Sequence, residues 1–256
     1  MTLPLPRLWH STMQRLRHSA AELADMVYPR SCAICQNTCT GPGRYICWTC
    51  QGQIEYHSIQ NFCNKCGRSF PGVASAPFTC LDCRKRQPAY TAARSTAHFS
   101  GPVRDLLHIF KYRKGSWLAE DLTRMLEACV QHHFPQENIE IVCPIPLHNR
   151  RQRERGYNQS QLLGKRLAER LDIPCFGDLL RRTRYTRSQT FLTADERWRN
   201  AQGIFAVNPL LKEWLRERTV LVVDDVMTTG ATVESASRTL LRGGAGRVLV
   251  ATVARD

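Results

Sequence analysis

Two adjacent carboxylates followed by a run of hydroxyls give this chain its sharpest chemical feature. In VLVVDDVMTTGAT, residues 220–232, four apolar residues that read as a buried strand end in Asp224 and Asp225, and then in a loop of Thr, Gly and Ala. In an open parallel sheet, ligands collect at the C-terminal ends of strands, and this loop leads straight into a helix. Backbone N–H groups and hydroxyls of Thr228, Thr229, Gly230, Ala231 and Thr232 can wrap a phosphate there. The helix dipole assists, and Gly230 lets the backbone approach closely. Carboxylates beside a phosphate repel it, so Asp224 and Asp225 make sense as acceptors for sugar hydroxyls one ester length away, or as ligands of a magnesium ion shared with the phosphate. A plain two-acid metal site competes with this reading, but the Thr/Gly loop is a better phosphate cup than a metal shell.

Eight of the twelve cysteines form four CxxC pairs: Cys32/Cys35, Cys47/Cys50, Cys63/Cys66 and Cys80/Cys83. Two residues between cysteines let one tight turn aim two thiolates at the same tetrahedral cation, and a second pair completes a four-sulfur shell. Eight ligands suit two zinc ions, structural because closed shells leave no position for substrate. Disulfide or redox use is the alternative. Sequential pairing makes two zinc ribbons; crossed pairing, first pair with third, uses the same ligands and stays open. Cys39 and His57 lie near enough in sequence to substitute. Cys129, Cys143 and Cys175 sit singly in apolar surroundings and read as small core residues.

Lys and Arg exceed Asp and Glu by 36 to 22, a net charge of +14, which favours a polyanionic partner or an anionic substrate over a merely basic surface. PIPLHNRRQRERGYNQS, residues 144–160, leaves a strand and is dense in Arg before a helix starts. Arg151 and Arg155 can meet a diphosphate bidentately, although such a loop is also common as a solvated or nucleic-acid-facing surface. Residues 181–200 interleave Arg181, Arg182, Arg184, Arg187, Arg197 and Arg199 with Tyr185, Phe191 and Trp198. That composition fits a single-strand binding groove, a mobile lid, or core aromatics with exposed Arg heads.

The elements that position these groups follow from periodicity. A helical stripe runs over 13–27, the CxxC module over 29–84, and RKRQPAY, residues 84–90, reads as a linker. From there strand and helix patterns alternate: strand 95–99, helices 103–112 and 117–130, a strand from Ile139, helix 160–171, a short helix 193–200 opened by a Thr193/Glu196 capping box, strands 203–207 and 219–223, helix 232–242 and strand 247–253. Alternation of this kind predicts an α/β fold with a mostly parallel sheet and helices on both faces. The expected domains are an N-terminal helical segment (1–28), the zinc module (29–84) and the α/β domain (91–256). No apolar run approaches the ~20 residues of a membrane span, so no membrane insertion is expected. The first residues lack the pattern of a secretory signal, which points to a cytoplasmic location.

VVDDVMTTGAT, residues 222–232, resembles the binding motif for 5-phosphoribosyl-1-diphosphate (PRPP) of the type I phosphoribosyltransferases. That resemblance assigns Asp224 and Asp225 to the ribose hydroxyls and residues 228–232 to the 5-phosphate; Arg151 and Arg155 are then the candidate cradle for the diphosphate of PRPP, Lys111 is a further candidate PRPP contact, and magnesium is expected with the ligand. The CxxC pairs, FKY (110–112), PLHNRRQRERGYNQ (146–159), RRTRYTRSQTFLTADERWRN (181–200) and the terminal motif together resemble the ComF family, over residues 27–255. Members are competence and DNA-utilisation proteins, phosphoribosyltransferase-like and often fronted by a double zinc ribbon. Relatives that use 6-oxopurines place a carboxylate where this chain has Thr228, and they take base contacts from chain following the motif. Here one helix and one strand follow. Base contacts are therefore expected from 181–200 or from the zinc module acting as a hood. Three functions follow from the resemblance: a PRPP-binding protein that contacts single-stranded DNA and DNA-uptake proteins, a salvage phosphoribosyltransferase, or a non-catalytic PRPP sensor.

Overall fold

The structure is a computed structural model, and it describes residues 30–39, 45–72, 77–184 and 194–256. The helix expected over 13–27 lies outside these residues, as does Thr193 of the expected capping box. The chain divides into two compact units, Met1–Gly52 and Gln53–Asp256. Among the described residues, the smaller unit contributes the short helix α1 (Trp48–Gly52), which carries Cys50. The larger unit holds α2 (Leu81–Arg86), β1 (Ala92–His98), α3 (Gly101–Tyr112), α4 (Ala119–His133), β2 (Ile141–Pro144), α5 (Asn149–Arg155) and α6 (Gln159–Leu171). It continues through β3 (Leu180–Arg182), α7 (Ala194–Ala201), β4 (Phe205–Val207), β5 (Thr219–Met227), α8 (Ala231–Arg242) and β6 (Arg247–Arg255).

Strands β1, β6, β5 and β2 lie side by side in that order, every pair parallel, while β3 and β4 form a separate antiparallel pair. A parallel sheet is buried on both faces, which explains why β2, β5 from Val220 to Val223 and β6 from Val248 to Val250 are continuously apolar, whereas β1 buries only alternate residues. Alternate residues show the two faces. Ile141, Cys143, Val220, Val222, Val248 and Val250 share one cluster with Val233, Ala236 and Leu240 of α8. Val142 and Pro144 point the other way, toward Gly164 of α6, where a Cβ would come within 3.1 Å of Pro144. Helix α3 is anchored by Val103, Leu106, Leu107 and Phe110, the stripe its sequence shows. Cys129 and Cys143 are core residues; burial pushes the Cys129 thiol up to about 11 and that of Cys143 higher still. Cys175 is only partly buried.

Three features depart from the sequence expectation. Strand β5 does not stop at Val223 but runs on to Met227, so both carboxylates lie inside it. It is carried there by β6, which stays in register as far as Met227↔Arg255, whereas β2 ends at Pro144 opposite Val223. The Arg-rich stretch after β2 is not a loop throughout, because 149–155 forms helix α5, capped when the His148 side chain accepts from the Arg150 N–H. Nor is 84–90 a loose connection: α2 covers its first three residues, the Ala89 N–H donates to Glu234 Oε2 at 2.7 Å, and Tyr90 is buried in the core.

Both sheet edges are covered. Along β1, the chain at 55–57 and 64–65 supplies backbone partners: Lys65 O accepts from Ala93 N, Thr96 O from His57 N, and Glu55 O from His98 N. Along β2, Val142 exchanges hydrogen bonds with Pro174 and Phe176. Edges covered in this way are closed to pairing with another chain. The β1 cover depends on Gly67, whose φ is +72° and whose Cβ, if present, would lie 2.5 Å from Ala93 O. Gly67→Ala is therefore expected to lower the urea midpoint of the larger unit by more than Gly72→Ala. Gly72 also has positive φ, but nothing within 4 Å would meet its Cβ, so it should lose only the roughly 1–2 kcal/mol of left-handed backbone strain. Equal losses would mean that the contact with β1 is slack.

Candidate functional site

The four CxxC pairs assemble sequentially into two sulfur clusters, Cys32/Cys35/Cys47/Cys50 and Cys63/Cys66/Cys80/Cys83. The crossed arrangement is excluded. Each first pair sits on a turn closed by an isolated bridge, Ser31↔Thr38 in one and Phe62↔Ser69 in the other. Cys35 and Cys47 sulfurs are 3.6 Å apart and those of Cys66 and Cys80 are 3.8 Å apart. Four sulfurs at ~2.3 Å from a central zinc define a tetrahedron with edges of about 3.8 Å, whereas a disulfide needs ~2.05 Å. Both sets fit structural zinc and no position is left for a substrate. Backbone N–H groups of Cys47 and Cys80 point at Cys32 Sγ (3.5 Å) and Cys63 Sγ (3.3 Å), as thiolate ligands require. Neither Cys39 nor His57 joins a cluster; His57 bonds Ser69 Oγ at 3.0 Å instead.

At the acid pair, neighbouring strand residues point to opposite sides, so the two carboxylates meet different partners. Ser160 Oγ donates to Asp224 Oδ1 at 2.7 Å, and Lys111 Nζ lies 3.1 Å from Asp225 Oδ2. The Asp225 N–H also donates to Asp224 Oδ1 at 3.0 Å. Burial, reinforced by the charge of Asp225, pushes the Asp224 carboxyl up to about 7 despite Ser160 and Lys111. Among the described residues no third Cys, His or acid joins the two to make a metal shell. The pair therefore suits a magnesium ion held mainly by ligand oxygens, which is how magnesium meets phosphate substrates. Asp224 and Asp225 would be the residues that hold it.

Four consecutive residues organise this site, and the sequence reading missed their role. The Tyr157 hydroxyl donates to the carbonyl of Phe110, the residue before Lys111. Asn158 donates to Ile145 O at 3.0 Å and caps α6 through the Gln161 N–H. Gln159, 1% exposed, accepts from Arg155 at 3.1 Å, while its Nε2 finds no acceptor among the described residues. Ser160 completes the run at Asp224. The signal available was an Asn at the N-cap of a strongly periodic helix, which fixes where its first turn points.

The loop after β5 turns at Gly230, which caps α8 with φ +80°. Ala231 N–H donates to Thr229 Oγ1 at 3.4 Å, and Thr228 and Thr229 are partly exposed. No acceptor among the described residues takes the N–H of Thr228, Thr229 or Gly230. These donors and the helix N-terminus can receive an anion. Arg155 reaches Tyr112 as well, its Nη2 3.3 Å from the hydroxyl and its guanidinium 5.0 Å from the ring centre. Arg151 lies on α5 close enough to Arg182 of β3 for its charge, after burial, to help pull Arg182 down to about 10. In the 181–200 stretch, Tyr185, Arg187 and Phe191 lie outside the described residues, as does the side chain of Arg197; Trp198 sits on α7 with Arg86 over its ring at 4.6 Å.

A parallel sheet with this strand, loop and helix, accompanied by two four-cysteine clusters, defines a type I phosphoribosyltransferase-like α/β domain with a double zinc ribbon. The double zinc ribbon domain family matches residues 23–84 and the phosphoribosyl transferase domain family matches residues 158–256. The chain belongs to the ComF family of competence and DNA-utilisation proteins. It is 31% identical to competence protein F of Haemophilus influenzae, over 82% of this chain and 90% of that one. It is likewise 31% identical to the DNA utilization protein YhgH of Escherichia coli K12 (82% and 96%), and 28% identical to competence protein ComFC of Bacillus subtilis (79% and 80%). A crystal structure of adenine phosphoribosyltransferase aligns with 59% of this chain and 74% of its own at 15% identity and a TM-score of 0.32, too faint a likeness to bear on the site.

Two outcomes are expected. Cys35→Ser and Cys66→Ser each reduce bound zinc from two ions to one, but only Cys66→Ser lowers the melting temperature of the larger unit. Cys63, Cys66 and Cys83 belong to the same apolar cluster as the sheet, so an unchanged melting temperature in Cys66→Ser would contradict that placement. The raised Asp224 carboxyl also has a sign. Its ionised form is disfavoured in the fold, so the stability it contributes is full below the unfolded value near 4 and is lost as pH rises toward about 7. Asp224→Asn is therefore more stable than the parent at pH 8, measured by thermal melting, with the difference gone at pH 4.

Proposed function

We propose that this chain binds PRPP or a related phosphoribosyl ligand together with magnesium. Asp224 and Asp225 take the ribose hydroxyls, and residues 228–232 take the 5-phosphate. One observation carries the reading: three successive backbone N–H groups, at Thr228, Thr229 and Gly230, have no acceptor among the described residues, and they follow the two carboxylates after only Val226 and Met227. Donors left open at a helix N-terminus suit an anion, and acceptors beside them suit hydroxyls, so a phosphorylated sugar meets both needs. Lys111, now the counter-ion of Asp225, can transfer its charge to the diphosphate once magnesium and ribose occupy the acids. Arg151 and Arg155 extend the positive field from α5.

The same proposal places the protein in the cytoplasm, in the uptake or use of DNA, contacting single strands and the proteins that deliver them. Supporting this are the net charge of +14 and the family's named members. The face around α5 adds a further support, since Arg150 and Arg153 are exposed there and Tyr112, 59% exposed, stands beside Arg155. Exposed rings among cations are what stacked bases and phosphates require.

Calorimetry with PRPP and magnesium tests the site. Wild type binds, whereas Asp224→Asn and Asp225→Asn bind at least tenfold more weakly, about 1.4 kcal/mol. Wild-type affinity falls as pH drops below about 7 and Asp224 takes up its proton, and this dependence disappears in Asp224→Asn. Equal binding by all three proteins would remove the acids from the site. In a parallel arm, an oligo(dT) strand binds with an affinity that falls steeply with salt, and Tyr112→Ala weakens it; salt-independent binding would count against the phosphate contacts.

A further inference from the structure

The segment that closes the β2 edge exposes an edge of its own. Residues 174–176 run beside β2: Pro174 O accepts from the Val142 N–H, the Phe176 N–H donates to Val142 O, and Cys175 is bridged parallel to Val142. Successive residues of a strand turn their backbone groups to opposite sides. Those of Pro174 and Phe176 face β2, so those of Cys175, and of Ile173 and Gly177 on either side of it, face away. Ile173 O, both groups of Cys175 and the Gly177 N–H have no partner among the described residues, while the Ile173 N–H is spent on Ala168 O. Pro174 lacks an N–H, but its groups belong to the inner row, and the outer row is intact. An open row of this kind is a template for pairing with another chain.

Two surfaces flank the row. On the face to which Cys175 points, a groove of about 480 Å³ lies between it and α6, lined from the helix by Gln161, Lys165 and Glu169 among others. Arg166 and Arg170 of the same helix are paired with Glu120 and Glu127, whereas Lys165 and Glu169, one turn apart, have no ion-pair partner among the described residues. Burial and then the charge of Glu169 push the Cys175 thiol up to about 11, and Lys165 draws it back, which puts both ions beside Cys175. On the opposite face, Phe176 packs on Trp214 with ring centres 5.5 Å apart, and Trp214 keeps 48% of its surface exposed. Leu210, on the same 3-10 turn (Pro209–Leu215), is 84% exposed.

We propose that two copies of this chain meet at this edge, pairing antiparallel about a two-fold axis at Cys175. The open groups are self-complementary about that residue. Residues that face each other as a hydrogen-bonded antiparallel pair exchange both bonds, and the next such pair lies two residues away on each strand. Cys175 therefore exchanges both bonds with its counterpart, and each Gly177 N–H falls opposite the Ile173 carbonyl of the other copy. Every group in the open row is used, and the Ile173 N–H already spent on α6 is not needed. Asp172, with φ +55°, and Asp178 sit in the turns at either end, where the ladder stops. The same axis sets Lys165 of each copy toward Glu169 of the other, so charges without a partner in one copy find one in two. A strand from an unrelated protein requires none of this symmetry; a patch that meets itself does. Neither the acid pair nor the loop after β5 takes part, so the inference is independent of the phosphoribosyl reading.

Sedimentation and light scattering of the full-length, two-zinc protein test it. The wild type is expected at twice the chain mass at high concentration, dissociating on dilution. Cys175→Pro removes one outward N–H per copy and none of the bonds to β2, so it should weaken the dimer at least tenfold. Lys165→Glu should weaken it as well, and Lys165→Glu/Glu169→Lys should restore it, a rescue that a folding defect does not give. If Cys175→Pro misfolds, the charge pair alone decides. The proposal is overturned if the wild type is a monomer at every concentration, which would leave the edge to a strand of another protein. It is also overturned if Lys165→Glu dimerises as the wild type does, or if the double reversal recovers nothing.

Discussion

A carboxylate taken out of water needs a donor or a cation, and two carboxylates in succession on a buried strand need two separate answers. The larger unit is arranged around that constraint. Strand β5 is apolar while it lies between β2 and β6, and turns acidic where β2 stops. Ser160, on the first turn of α6, answers Asp224; Lys111, on the last turn of α3, answers Asp225. Tyr157 and Asn158 tie those two helices to the end of the sheet through the carbonyls of Phe110 and Ile145. The answers are incomplete by design of the chain: Asp224 is held by a neutral hydroxyl and remains hard to ionise. Residues left short of partners in this way often mark the place where a ligand supplies the missing interaction.

Much of this was legible before any coordinates. The helical stripes of α3, α4 and α6 and the apolar runs of β5 and β6 are strongly periodic, and their existence and type follow from burial on one face or two. The CxxC spacing named all eight cluster sulfurs. The misses have physical causes. Where β5 ends depends on how far β6 accompanies it, a non-local fact that residues 219–227 do not contain. Arg-rich residues 149–155 lack an apolar stripe, yet they form a helix because the flanking His148 caps it and Gly156, with φ +81°, ends it. Ser160 could not be singled out from sequence, since its role exists only once α6 is laid beside β5. The burial of Arg255 and Tyr90 was likewise invisible, because nothing local marks an Arg at a strand end, or a Tyr in a linker, as buried.

The two sulfur clusters are alike in chemistry and unlike in setting. The first lies in the small unit with its own short turn and helix. The second packs within the sheet's apolar cluster, lends its flanking backbone to the edge of β1 and receives Arg255 at the carbonyl of Cys66. A segment rich in glycine and polar residues cannot build a core alone, and zinc substitutes for one. In the larger unit that cluster is joined to the end of the sheet through Arg255, whose Nη1 lies between the Cys66 carbonyl and Met227, the last residue of β5.

The most direct measurement of the central claim is a crystal structure of the protein with PRPP and magnesium bound. The account predicts ribose hydroxyls within hydrogen-bond distance of Asp224 and Asp225, the 5-phosphate on the N–H groups of Thr228, Thr229 and Gly230, and Lys111 moved from Asp225 toward the diphosphate. Density for PRPP elsewhere on the protein, with Ser160 and Lys111 still closing off the two acids, would contradict it.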